Sequence, residues 1–145
     1  MFTKTQSPAA RLAAWRTFRQ NFPADGTADQ VVEAFADVAR TTRYIDYYTP
    51  ENWLDVFEIV KNGYFCQSGL TLVMASTLIH LNIIKSSVLY FDVVSNHITG
   101  ADGLILRDNG LCYNFLPGKV VDEDFAAANS TKFSEHIITP DKLCC

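Results

Sequence analysis

The chain lacks an excess of basic residues. Its 12 Lys and Arg stand against 16 Asp and Glu, for a formal net charge of −4 at neutral pH. A dedicated nucleic-acid binder usually carries the opposite balance, so that class is set aside. No run of like charge suggests an acidic or basic tail. The opening Met1-Phe2-Thr3-Lys4-Thr5-Gln6-Ser7-Pro8 has no apolar segment of the kind a secretory leader needs. The longest apolar stretch, 70–81, is interrupted by Thr71, Ser76, Thr77 and His80 and is too short and polar to span a bilayer. A cytoplasmic location without membrane contact is therefore expected. There is no Gly-x-x-x-x-Gly-Lys loop for nucleotide phosphates. The cysteines Cys66, Cys112, Cys144 and Cys145 form no Cys-x-x-Cys pair, and no histidine has metal-ligand spacing to them. Neither a metal nor a cofactor is expected, and Cys144-Cys145 reads as an exposed, oxidisable tail.

Enough apolar residues are present for a packed core. They make up 48% of the 145 residues, which argues for one ordinary domain rather than disorder. The first half has helical character. Ser7-Pro8 reads as an N-cap and first helical residue, with Leu12, Trp15 and Phe18 on one face. Arg11, Arg16 and Arg19 read as a solvated face. Thr27-Ala28-Asp29-Gln30 is a capping box before Val31, Val32, Phe35 and Val38, and that helix is expected to run to Thr41-Thr42. The aromatic stretch 43–48 reads as a short strand or a turn packed over the core. Thr49-Pro50-Glu51 reads as the start of a third helix with Trp53, Phe57 and Val60 inward and Gly63 as its stop.

The second half changes period. Val88 to Val94 reads as a strand buried on both faces. Leu104 to Arg107 and Leu111 to Phe115, joined through Asn109-Gly110, read as a hairpin in which Leu106 faces Tyr113 and Ile105 faces Asn114. Pro117-Gly118 marks another turn, residues 122–128 a short helix, and Phe133 to Ile138 a last strand. Helices followed by an antiparallel sheet define an α+β domain.

Chemistry concentrates at Gly63-Tyr64-Phe65-Cys66-Gln67-Ser68-Gly69-Leu70, which runs into the apolar helix. Free N–H groups and the positive end of the macrodipole at a helix start stabilise a thiolate, the attacking form of cysteine. The ordinary alternative for Cys66 is an inert, buried thiol. Tyr64 is placed to line a pocket and Gln67 to donate to an oxyanion, although packing and exposure are their commoner roles.

The order of a tryptophan-bearing helix (53–63), Cys66 on an apolar helix, a strand at 88–94 and a hairpin ending in a polar residue before a proline resembles the transglutaminase-like branch of the papain-like superfamily. The pattern is nearest to the bacterial transglutaminase-like cysteine proteinases and covers about residues 50–118. The resemblance implies a central Cys-bearing helix packed on an antiparallel sheet. It divides the chain into a helical part (1–48), a core (49–118) and a C-terminal extension (119–145). It also implies a Cys–His–Asp/Asn triad in which the histidine takes and returns the proton and the third residue holds the ring. Here these map to Cys66, His97 and Asn114. Two positions depart from the pattern: Gln67 stands where an acidic residue usually follows the cysteine, and Asp102 or Gly103 stands where the histidine is expected. His97 reaches the site only if residues 98–101 fold back. Two functions follow. One is a cysteine-dependent amide hydrolase or acyltransferase acting on a protein or peptide. The other is an inactive member of the fold that binds protein, in the manner of a viral or mobile-element accessory protein.

Overall fold

Local signals build the N-terminal half. The Ser7 hydroxyl accepts from Ala10 N at 3.1 Å and caps helix α1 (Pro8–Asn21). Both bonds of the Thr27–Gln30 capping box are present at the start of α2 (Ala28–Phe35). The structure, a computed structural model, describes residues 1–41 and 45–143. What was expected of Thr42, Arg43, Tyr44, Cys144 and Cys145 lies outside the described residues.

Two helices begin or end elsewhere than expected. α2 stops at Phe35 rather than near Thr41, because Thr41 is drawn into a tertiary pairing: its N–H donates to Phe65 O and its hydroxyl accepts from Phe65 N. Pro50 nucleates only a 3-10 turn, Pro50–Asn52. The α-helix α3 (Val56–Asn62) starts later, capped by Asp55, whose carboxylate accepts from Phe57 N at 2.7 Å. Its inner face is therefore Val56, Ile59 and Val60, while Phe57 stays exposed. Gly63, at φ +68°, ends it as expected. Arg11 does not join a solvated face. Its guanidinium donates to Val60 O, Lys61 O and Gln6 O, tying α1 to the carbonyl end of α3.

Helix α4 (Gln67–His80) is the centre of the domain. Every residue from Ser68 to Leu78 is buried. Thr71, Ser76 and Thr77 among them find hydrogen-bond partners within the fold. Thr77, for example, donates to Val73 O at 2.7 Å and accepts from the Trp15 indole at 2.9 Å. The first turn sits so close to the preceding chain that a Cβ on Gly69 would lie 2.1 Å from the Tyr64 carbonyl oxygen.

The sheet holds β1 (Leu89–Asn96), β2 (Asp102–Asp108), β3 (Leu111–Leu116), β4 (Lys119–Asp122) and β5 (Ser130–Ile138), in the spatial order β4-β3-β2-β1-β5 and antiparallel throughout. The fold class is thus the expected α+β arrangement, with β4 as an added strand. Asn109 and Gly110 both have positive φ, as a type I′ turn requires, and Leu106 faces Tyr113. One face carries Leu89, Phe91, Val93, Leu104, Leu106 and Tyr113 into the main core under α4. On the other face Val94, Ile105, Cys112 and Phe115 pack with Ala126 of α5 (Glu123–Ala128). Beside them, buried Asp92 is paired with Arg107 at 2.9 Å and Lys132 at 3.3 Å. The edge strand β5 is interrupted by a bulge opposite Val93/Val94, a common device for blunting an exposed edge. Among the described residues no helix is long and apolar enough to cross a membrane.

Gly69→Ala is expected to lower stability by about 1–3 kcal/mol, because backbone rather than a flexible side chain blocks the added methyl. A shifted urea midpoint at constant slope checks it. An unchanged midpoint would mean that α4 can withdraw from Tyr64 without loss.

Candidate functional site

Cys66 is the N-cap of α4. It is extended (φ −70°, ψ 172°), and its sulfur accepts from Gly69 N at 3.3 Å. The residue is partly exposed. Burial lowers the pKa of the nearby Arg40 guanidinium from its usual value, and the charge of Cys66 opposes that lowering. Cys112 contrasts with it. Cys112 is buried mid-strand, and burial, reinforced by Asp92, pushes its thiol up to about 11.

Gln67, one residue on, points into the sheet. Its Oε1 accepts from Leu104 N at 2.7 Å, and its Nε2 donates to Leu104 O at 2.7 Å and Asn114 O at 3.4 Å. These are the bonds a neighbouring peptide unit would make. Pairing of β2 with β3 indeed stops at Leu106 and Tyr113, so the expected Ile105–Asn114 pair does not form. The strands part, and the Gln67 carboxamide fills the gap. Both of its N–H groups are engaged there, which leaves none for the expected oxyanion role.

The residues around the wedge follow from it. Asn114 takes a left-handed conformation, φ +66°, where the β3 register shifts. Its carboxamide donates to Thr71 Oγ1 at 2.7 Å and Gln67 O at 3.3 Å, and so holds α4 rather than a histidine ring. Thr71 in turn donates to Leu104 O at 2.7 Å. A Cβ on Gly103 would lie 2.6 Å from the Gln67 carboxamide, so no side chain fits there while Gln67 stays in place. Asp102 is exposed at the start of β2, opposite Ser95. Tyr64 packs against the main core.

The histidine rings are hydrogen-bonded to other groups. Residues 97–100 form a tight turn, with Asn96 N donating to Ala101 O and Gly100 N to Asn96 O. The Asn96 side chain accepts from Ile98 N and Thr99 N and donates to Phe115 O at 2.8 Å. Thr99 and Ala101 of this segment line the cleft beside Gln67. His97 N donates to Asn129 O, and its ring is hydrogen-bonded to Thr131 Oγ1 at 2.9 Å. Thr131 belongs to β5, on the side of β1 away from β2 and Gln67. The His80 ring bonds Ser76 at the far end of α4, and the His136 ring bonds Tyr47 O. Gln67, Asp102 and Asn114 thus line one cleft, with Cys66 just before Gln67, whereas the His97 ring, at the same end of the sheet, is bonded to Thr131 of β5. Arg40, Thr71 and Asn96 belong to this neighbourhood and were not anticipated. Only Asn96, four residues before Gly100, carried a local turn signal.

Where the strands part, a cleft of about 280 Å³ opens. Val94, Ile105 and Phe115 give it an apolar wall, and Gln67, Asn96 and Arg40 a polar rim.

Solved structures share this α+β arrangement of a central helix packed on an antiparallel sheet, at the level of fold. Legionella pneumophila LapG in its calcium-bound form superposes with a TM-score of 0.67 at 14% identity, covering 93% of this chain and 81% of that one. A second LapG structure gives 0.65 at 13%, covering 91% and 79%, and EGTA-treated LapG gives 0.65 at 13%, covering 91% and 77%. No model of a known protein family and no curated protein matches the chain.

Two outcomes are expected. Iodoacetamide should label Cys66 in the folded protein, and Cys112 only on unfolding, as read by mass spectrometry. Equal labelling of the two would contradict the burial of Cys112. Gln67→Ala should cost about 1–3 kcal/mol and speed amide exchange at Leu104 by about tenfold or more, because two backbone groups lose their partners. Unchanged exchange at Leu104 would mean that the strands close on their own.

Proposed function

We propose that this chain uses the transglutaminase-like fold to bind a protein or peptide without hydrolysing it. The supporting observation is the bonding of the three histidine rings, none of which is hydrogen-bonded to Cys66. Acyl transfer by a cysteine needs a group that takes the thiol proton and returns it to the leaving amine. The residue at the start of the hairpin strand is Asp102, and a carboxylate beside a thiol disfavours the thiolate. Gly103 beside it has no room for an imidazole. What remains is a shaped cleft whose apolar wall suits an extended peptide side chain.

The hydrolase reading retains one favourable feature, the helix-capping Cys66. It requires His97 to leave Asn129 and Thr131 and the turn at 97–100 to open. LapG in one structure is calcium-bound. Among the described residues of this chain there is no group of three or more His, Cys, Asp or Glu side chains arranged to hold a metal.

The wild type, Cys66→Ala and His97→Ala are to be compared on a mixture of fluorogenic peptides and on casein. Equal, background-level turnover in all three is expected. Turnover seen only in the wild type and lost in both variants would establish the hydrolase instead. On a peptide array, Cys66→Ala should bind as the wild type does. Ala101→Arg, at the exposed mouth of the cleft, should lose the signal. Retained binding by Ala101→Arg would remove the cleft from the reading.

A further inference from the structure

A second cavity, also about 280 Å³, lies between the N-terminal segment, α1, the segment after α2 and the turn after α3. Among the described residues its walls include Lys4, Arg11 and Arg40 and no Asp or Glu, in a chain whose net charge is −4. Phe2 and Phe65, both buried and stacked with ring centroids 4.7 Å apart, give it an apolar floor together with Val38.

The two arginines are prepared differently. Arg11 is held in place by its bonds to Val60 O, Lys61 O and Gln6 O. Those acceptors are neutral carbonyls, so its charge is not cancelled. Nη1 and Nη2 each use one N–H, which leaves one on each without a protein acceptor among the described residues. The Arg11 guanidinium also lies against Gly63, whose Cβ position is only 3.4 Å from its Cζ and Nε, so its plane is fixed from that side as well. Arg40 makes no hydrogen bond or ion pair among the described residues, and it lines both this cavity and the cleft near Cys66. An arginine stays charged at neutral pH, so only an incoming anion can neutralise the pair. A fixed guanidinium favours planar oxyanions, because little side-chain freedom is lost on binding.

We propose that this cavity binds a small organic anion, a carboxylate or a phosphate monoester, whose oxygens bond Arg11 and Arg40 while its apolar body rests on Phe2 and Phe65. Lys4 adds charge at the rim. This site is separate from the proposed peptide cleft and does not depend on it. The two share only Arg40.

The test uses phenylphosphate, benzoate and inorganic phosphate, titrated against the full chain by calorimetry at constant ionic strength set with sodium chloride. Saturable binding of phenylphosphate or benzoate is expected, with phenylphosphate tighter than inorganic phosphate because of the apolar floor. The ranking of phenylphosphate against benzoate distinguishes a phosphate from a carboxylate ligand. Arg40→Ala removes no hydrogen bond or ion pair among the described residues, so its circular dichroism and thermal midpoint should stay close to the wild type, while affinity falls about tenfold or more. Because Arg11→Ala also unties α1 from α3, Lys4→Ala serves as the second variant and should weaken binding by a smaller factor. Bound phenylphosphate should also slow iodoacetamide labelling of Cys66, which lies near Arg40. The proposal is overturned if Arg40→Ala binds as tightly as the wild type, or if no anion saturates below about 10 mM, where affinity is too weak for a site. Phenylphosphate binding no tighter than inorganic phosphate would also overturn it, since the apolar floor would then play no part.

Discussion

One side-chain amide holds the functional end of this domain together. The Gln67 carboxamide stands between β2 and β3 and replaces the backbone pairing that ends at Leu106 and Tyr113. Strands that part inside a protein leave donors and acceptors without partners, and each such group is costly when buried. Gln67 satisfies both polar groups of Leu104 and reaches the Asn114 carbonyl. Because Gln67 is the first residue of α4, the same contact pins the start of the central helix to the sheet. The position of Cys66, one residue earlier, the left-handed turn at Asn114 and the cleft beyond them all follow.

Around this wedge the polar side chains form a closed set. Asn114 donates to Thr71 and to the Gln67 carbonyl, Thr71 donates to Leu104, and Asn96 crosses from the end of β1 to Phe115 O. A fully satisfied network of this kind rigidifies what it connects. The groups that an acyl-transfer site would need free, an amide donor and a residue to steer an imidazole, are held inside it. The polar groups beside the cysteine serve the architecture.

Features governed by neighbours in sequence were legible beforehand. The Ser7 cap, the Thr27–Gln30 box, the Gly63 stop and the Asn109-Gly110 turn each depend on a few adjacent residues, and each stands as read. The start of α3 was misread because Pro50 and Asp55 both carry cap signals, and only tertiary packing of Val56, Ile59 and Val60 selects the second. Gln67 illustrates what sequence alone does not disclose. Its partners lie 37 and 47 positions away, and its role depends on a hairpin that opens one pair earlier than ideal pairing suggests. The place of His97 depends in the same way on β5, whose pairing with β1 brings Asn129 and Thr131 to the turn.

The contact between Gly103 and Gln67 also sets the order in which this sequence can change. An imidazole at position 103 cannot enter while the carboxamide lies 2.6 Å from the Cβ position. Removing the carboxamide first strands the polar groups of Leu104 before any compensating residue exists. Neither single step is favourable, which is the coupling expected of two sites in contact. The arrangement therefore acts as a ratchet on changes at these two positions. A route toward a Cys–His pair at this position passes through a less stable intermediate.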